Sequence, residues 1–281
     1  MESLPTVLRG TCEPTCPKRA TPRKLIPVLA TITAAAAATG LAVGGYHYAA
    51  IWPTSQIFGR TILAGRDPNE YALTYDDGPN DACTEQLLEL LARHNARATF
   101  FLIGRFVRER RDLTRRIHAA GHLIGNHTFT HPWLLYQSPS RVREELASTS
   151  ATIEAAIGDK IHYFRPPHGA RRPDVLRTAR DLGLTPVLWN AMGYDWKPGL
   201  NPETILANLD KGIRGNRRGG HGSNLLLHDG GQAGIGQDRK ASIEATATLL
   251  TRAQSEQIRF VTVDAWNETR NISRDHTAQQ K

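Results

Sequence analysis

From residue 66 onward, short apolar runs rich in β-branched and aromatic residues alternate with longer runs in which apolar positions recur every three or four residues. The short runs predict strands over 70–75, 98–103, 122–126, 161–165, 184–189, 223–228 and 258–263. Between them, Leu87, Leu88, Leu90 and Leu91 share one helical face, as do Leu113, Ile117 and Ala120, and then Val142, Leu146, Thr149 and Ile153. Gly121, Gly158 and Gly183 follow three of these runs where a helix would stop. Strand-then-helix repetition implies a parallel sheet, most simply a distorted (β/α) barrel of about seven parallel strands forming a single catalytic domain.

Ahead of this pattern the polarity changes. No Lys, Arg, Asp or Glu occurs from Leu25 to Gly59, and Lys18, Arg19, Arg23 and Lys24 flank only the N-terminal side. A stretch from 25 to 51 exceeds the roughly 20 residues that cross a bilayer as a helix. The one-sided charge predicts a tail held in the cytoplasm and everything after Ile51 exported, periplasmic or extracellular. An uncleaved membrane anchor is favoured over a cleaved signal, which would leave the protein secreted. The expected organisation is a basic tail (1–24), an anchor or signal segment (25–51), a linker (52–66), the catalytic domain (67–264) and a C-terminal tail (265–281).

Charge narrows the function classes. The 281 residues hold 35 Lys+Arg against 27 Asp+Glu. Much of the excess lies in the tails, and the body between them carries 27 basic against 23 acidic residues. No basic stripe interleaved with aromatics occurs, so no nucleic-acid partner is expected. The Arg105 to Arg116 run reads as the solvated face of a helix. Cys83 alone follows the apolar segment, which excludes a disulfide inside the domain, and Cys12 with Cys16 is a poor zinc signal. No protein partner is implied.

In a parallel barrel, active residues gather just past the C-terminal ends of strands. There lie Asp76-Asp77-Gly78-Pro79, His127 with His131-Pro132, Arg165-Pro166-Pro167-His168-Gly169, Asp195-Trp196, and Leu226-Leu227-His228-Asp229. An Asp pair or two histidines four apart mean little alone; His118 and His122 share that spacing and are assigned a structural or surface role. Two imidazoles and one carboxylate at one rim make a three-ligand site that leaves room for water. One Asp would then ligate while its neighbour accepts a proton. Arg165 would keep that base ionised, and His228, across the barrel, is the natural acid because its ordinary pKa is near neutrality.

These residues resemble the polysaccharide deacetylases of carbohydrate esterase family 4, the NodB-homology domain. The resemblance covers about residues 67 to 264 and rests on five motifs in order. It implies Asp76 as catalytic base, Asp77, His127 and His131 as metal ligands, and Arg165 tethering the base. It further implies Asp195 orienting Arg165, Trp196 and Leu226 lining a pocket for the acetyl methyl, and His228 as the acid. Pro167 and His168 are expected on the substrate side, with a backbone N–H near His168 stabilising the oxyanion. His168 stands where the family usually has Tyr, and Met192 where many members carry a further Asp. The implied cofactor is a divalent metal, Zn2+ first, with Co2+ or Ni2+ as substitutes. The implied reaction releases acetate from N-acetylglucosamine-type sugars in a cell-envelope glycan such as peptidoglycan or a chitin-like polymer. Alternatives are an O-acetyl esterase on acetylated xylan, an amidase on a small substrate, or a non-catalytic glycan-binding module. A 2-His-1-carboxylate iron oxygenase fits the ligand types but leaves the second Asp, Arg165 and His228 without a task.

Overall fold

The computed structural model describes residues 39–267. The basic tail, most of the 25–51 apolar stretch and residues 268–281 lie outside them. By its contacts the chain divides into residues 1–45 and 46–281; the sheet, the helices from Thr84 onward and the site described below all lie in the second. Residues 39–51 are helical (α1). No described helix is long and apolar enough to cross a membrane.

Eight parallel strands form one sheet: β1 (Glu70–Gly78), β2 (Ala98–Leu102), β3 (Leu123–Asn126), β4 (Tyr163–Phe164), β5 (Thr185–Pro186), β6 (Ala191–Met192), β7 (Ser223–His228) and β8 (Arg259–Phe260). Their order is β5-β4-β3-β2-β1-β7-β6. β8 pairs with the first residues of β1, along the edge that β2 takes from Leu73 onward. The helices are α2 (Thr84–Arg93), α3 (Gly104–Glu109), α4 (Arg111–Ala119), α5 (Pro139–Ile157), α6 (Pro173–Asp181), α7 (Pro202–Arg218) and α8 (Lys240–Ser255). This is the distorted barrel that strand and helix alternation predicts. Its strands are shorter than expected at 161–165, 184–189 and 258–263. The expected fifth strand ends at Pro186, and the separate β6 precedes Asp195.

The period-two alternation of side chains along a strand separates the two faces. Tyr71, Leu73 and Tyr75 of β1, Phe100 and Leu102 of β2, and Leu225 and Leu227 of β7 pack into the large core shared with the helices. The intervening residues point into the barrel. There Ala72, Phe101, Tyr163, Val187 and Val263 close one end with carbon. Thr74, Asp76, Asn224, Leu226 and His228 follow in the same phase toward the C-terminal end. Burying both faces explains why these strands read as nearly continuous apolar runs broken only by functional residues.

The helices behave as their patterns predict, with two exceptions. Leu87, Leu88, Leu90 and Leu91 of α2 and Val142, Leu146, Thr149 and Ile153 of α5 are buried, whereas Ala120 is exposed and caps α4. The Arg105–Arg116 run is two helices, α3 and α4, broken at Arg110 (φ −128°, ψ 50°). Gly121, Gly158 and Gly183 all have left-handed φ (74–78°), the conformation that ends a helix without cost only for a residue lacking Cβ. Cys83 is a buried free thiol.

The stretch expected as a linker packs against the domain instead. Ile62 bridges to Val187, and the buried Arg171 donates to the carbonyls of Trp52 (2.8 Å) and Ser55 (2.6 Å). Unsatisfied carbonyls beside a buried guanidinium would be costly, so this contact fixes the segment in place.

Candidate active site

At the C-terminal rim a cavity of about 580 Å³ is lined by Asp76, Asp77, His127, His131, His168 and His228. Trp196, Leu226 and Met192 also face it. Adjacent residues of a regular strand point to opposite faces. Asp76 and Asp77 both reach the cavity because the β1–β2 register shifts between Asp76 and Gly78 and Asp77 takes φ 71°. The bulge turns a second carboxylate inward. Five of the seven non-glycine residues with left-handed φ among the described residues, Asp77, Thr128, His131, His168 and Tyr194, lie in these rim loops. Such backbone persists only where its surroundings over-determine it, as at binding sites.

His127 and His131 are oriented through their Nδ1 atoms. His127 Nδ1 donates to the Arg165 carbonyl (2.8 Å), and His131 Nδ1 donates to Gln232 Oε1 (2.6 Å). With the protons there, both Nε2 lone pairs face Asp77 Oδ1, at 3.4 and 3.1 Å. Three ligands at tetrahedral corners around a zinc-sized ion stand roughly 3.3 Å apart. Asp77 Oδ1 is buried and has no hydrogen-bond partner. An orphaned carboxylate oxygen facing two imidazole lone pairs is the donor set a divalent ion satisfies. Asp77, His127 and His131 are the cluster found among the described residues.

The loop bearing the two histidines is pinned from below by Glu145 of α5. Its carboxylate, 1% exposed, accepts from Phe129 N (2.7 Å), Thr130 N (2.8 Å) and Thr130 Oγ1 (2.6 Å). Nothing in the rim motifs signals Glu145. The available sign was a charged residue on the apolar face of α5, between Val142 and Leu146.

Arg165 is fully buried inside the barrel, behind the cavity wall. It donates to Asp76 Oδ1 (2.8 Å), Thr74 Oγ1 (2.8 Å) and Asn224 Oδ1 (3.2 Å), and lies over the Phe101 ring at 4.2 Å. Burial lowers its pKa, and Asp76 opposes that. Asn224 takes part where the sequence suggested no role. It sits in phase with Leu226 and His228 on the inward face of β7, so alternation alone marked it.

The expectation that Asp195 orients Arg165 is corrected. Asp195 Oδ1 accepts from His228 Nδ1 (2.8 Å), and Oδ2 accepts from His228 N (2.7 Å) and Ser242 Oγ (2.6 Å). The chain crosses from β5 to β6 before Asp195, which brings it beside β7 rather than β4. Burial disfavours the charged imidazole of His228, but Asp195 outweighs it and raises the pKa to about 9. Burial likewise opposes ionisation of Asp195, and His228 nevertheless lowers its pKa. Arg165 and Asp195 are therefore positioning residues, acting through Asp76 and His228.

Pro167 is a second correction. It is buried, opens the turn Pro167–Gly169, and does not line the cavity. His168 does. It stacks on Trp133 (ring centroids 3.9 Å, 14°) and meets His131 edge-on at 4.7 Å. Burial, then the neighbouring His131 and His127, lower its pKa to about 4. Leu226 forms a small apolar cluster with Leu188 and Trp189, against which Met192 packs. Trp196 meets His228 edge-on at 5.3 Å. His122 and His118 stay out of the site. His122 is buried against Phe100 and accepts from Ala98 N, while His118 pairs with Asp159 at 3.3 Å, a carboxylate the sequence did not suggest.

A parallel barrel with a 2-His-1-Asp cluster, a second buried carboxylate and a carboxylate-held imidazole on one rim defines a metal-dependent hydrolase. A profile of the polysaccharide deacetylase family matches residues 64–187. A chitooligosaccharide deacetylase from Rhizobium leguminosarum bv. trifolii is 38% identical over 170 residues, 59% of this chain and 74% of that protein. The fold is similar to a crystal structure of a peptidoglycan N-acetylglucosamine deacetylase bound to a hydroxamate (TM-score 0.64, 29% identity, 73% of this chain and 91% of that one). It is also similar to an acetyl xylan esterase from Clostridium thermocellum in complex with cobalt (TM-score 0.61, 28% identity, 70% and 89%). The chain belongs to the polysaccharide deacetylase family, carbohydrate esterase family 4, whose deacetylases are metal-dependent.

Proposed function

We propose that this protein hydrolyses the N-acetyl groups of N-acetylglucosamine units in a cell-envelope glycan, peptidoglycan or a chitin-like oligomer, releasing acetate and leaving a free amino sugar. The observation that carries the reading is the presence in one cavity of the Asp77–His127–His131 cluster with Asp76 and a protonated His228. The chitooligosaccharide and peptidoglycan deacetylases among the relatives support this substrate class.

A divalent ion held by Asp77, His127 and His131, for which two nitrogens and an oxygen favour Zn2+, supplies Lewis acidity and a water of lowered pKa. Asp76, held in place by the Arg165 guanidinium at 2.8 Å, accepts a proton from the attacking water. The acetyl methyl fits the apolar wall of Leu226, Met192 and Trp196, and a backbone N–H near His168 faces the developing oxyanion. His228 donates its Nε2 proton to the departing nitrogen while Asp195 retains the proton on Nδ1. Water is added across the C–N bond, giving acetate and the amine.

The apolar, one-sidedly charged N-terminal stretch supports export with the domain anchored outside the cytoplasm.

Acetate release from N-acetylglucosamine oligomers, peptidoglycan and acetylated xylan, measured in parallel with and without chelator, tests the reading. Metal-dependent release from an N-acetylated glycan is expected. Release from xylan alone would move the assignment to an O-acetyl esterase, as in the xylan-active relative.

A further inference from the structure

The wall of the cavity on the side of the 167–171 loop is built by a segment that precedes the barrel. Ile51, Trp52 and Pro53 line it. Arg171, 1% exposed, holds that segment with three bonds and its own loop with a fourth. Its N–H donates to Ala50 O (2.9 Å), its Nη2 to Trp52 O (2.8 Å) and Ser55 O (2.6 Å), and its Nη1 to Gly169 O (2.9 Å), next to His168. One buried guanidinium thus ties the segment to the loop that carries a cavity residue. Only carbonyl oxygens accept from it in these four bonds, and burial lowers its pKa to about 10.

The segment so fixed presents an aromatic surface. Trp52 is 57% exposed and Tyr48 46%, and their rings lie nearly parallel (20°) with centroids 6.1 Å apart. Residues 46–59 contain no Lys, Arg, Asp or Glu. A large aromatic side chain such as Trp52, held rigidly in solvent at the mouth of a cavity, marks a binding surface. A neutral aromatic face suits a neutral pyranose, whose axial C–H groups form a flat apolar face, better than an ionic partner.

We propose that Trp52, fixed at the cavity wall, forms an additional sugar subsite, which binds the N-acetylglucosamine unit next to the one being deacetylated and so sets a preference for oligomers. The inference rests on the deacetylase reading above and specifies its substrate further. The Trp52 ring stacks on the neighbouring sugar and leads the glycan into the cavity past Pro53 and His168.

The test uses the full chain carrying Asp76→Asn, which retains substrate without turning it over, and calorimetric binding of N-acetylglucosamine monomer, dimer and tetramer. Trp52→Ala is expected to weaken tetramer binding about ten-fold, equivalent to about 1.4 kcal/mol, with a much smaller effect on the monomer. Trp52→Phe, which keeps an aromatic face, should recover most of the loss. Equal tetramer affinity with and without Trp52→Ala, alongside acetate release by the wild type, overturns the subsite and leaves the deacetylase reading standing. Absence of both glycan binding and acetate release removes the deacetylase reading and the subsite with it.

Discussion

Asp76 and His228 are register partners across the β1–β7 ladder. Their side chains share the inward face, so the proposed base and the proposed acid stand on neighbouring strands around the carboxylate of Asp77. A one-residue slip in this pairing would turn one of them into the helix-facing core. Leu73, Tyr75, Leu225 and Leu227, all buried on that other face, prevent it.

Replacing Asp195 with Asn should move the alkaline limb of the pH–rate profile. A general acid works only while protonated, and His228 holds its proton to about pH 9 because of Asp195. Without that charge, burial dominates and the limb falls to about 6.5 or below. At pH 8 kcat should drop on the order of 10²-fold, recovering toward pH 6. The same pair contributes to stability. The His228 share is present below pH 6.5 and lost as pH rises through about 9; the Asp195 share is present above its ordinary 3.8 and lost on acidification. An unchanged alkaline limb in Asp195→Asn would refute this role.

Alanine at Asp77, His127 or His131 should each abolish stoichiometric metal content, measured by elemental analysis of the purified protein. Chelation of the wild type should lower Tm, because an ion bound only by the folded state at 1,000 times its Kd stabilises by about 4 kcal/mol. Retained metal in all three variants would disprove the cluster.

Glu145→Ala should weaken metal binding from outside the ligand set. It strands two backbone N–H groups beneath the His127–His131 loop, at about 1–3 kcal/mol. Metal titration should show a raised Kd together with the lower Tm. A Tm drop without any change in metal affinity would reduce Glu145 to a purely structural part.

His122 predicts an acid-side loss of stability independent of the site. Burial lowers its pKa to about 4 from an ordinary 6.5. The unfolded chain therefore binds the extra proton first, so the stability His122 confers is complete above pH 6.5 and declines as pH falls toward 4. His122→Phe should flatten this part of the Tm–pH curve; an identical curve would refute it.

The rim and its chemistry were legible along the chain because a parallel strand ends at a fixed place relative to its sheet. A polar cluster after each apolar run therefore marks one face, whichever strand it follows. Asp76, Asp77, His127, His131, Arg165 and His228 were all accessible in this way, as were the helix stops at Gly121, Gly158 and Gly183. What sequence could not supply was pairing between loops. Asp195 follows the short β6, too brief to leave a periodic signal, and that extra strand sets it against His228 rather than Arg165. Glu145 and Gln232 act through bonds to residues 15 and 101 positions away. Residues 52–66 read as a linker because nothing local showed that Arg171 would bind their carbonyls. Periodicity and motif order determined the barrel and the identity of its reactive groups. Which groups hold one another depended on distances across the barrel, which only closure of the sheet around a buried Arg165 decided.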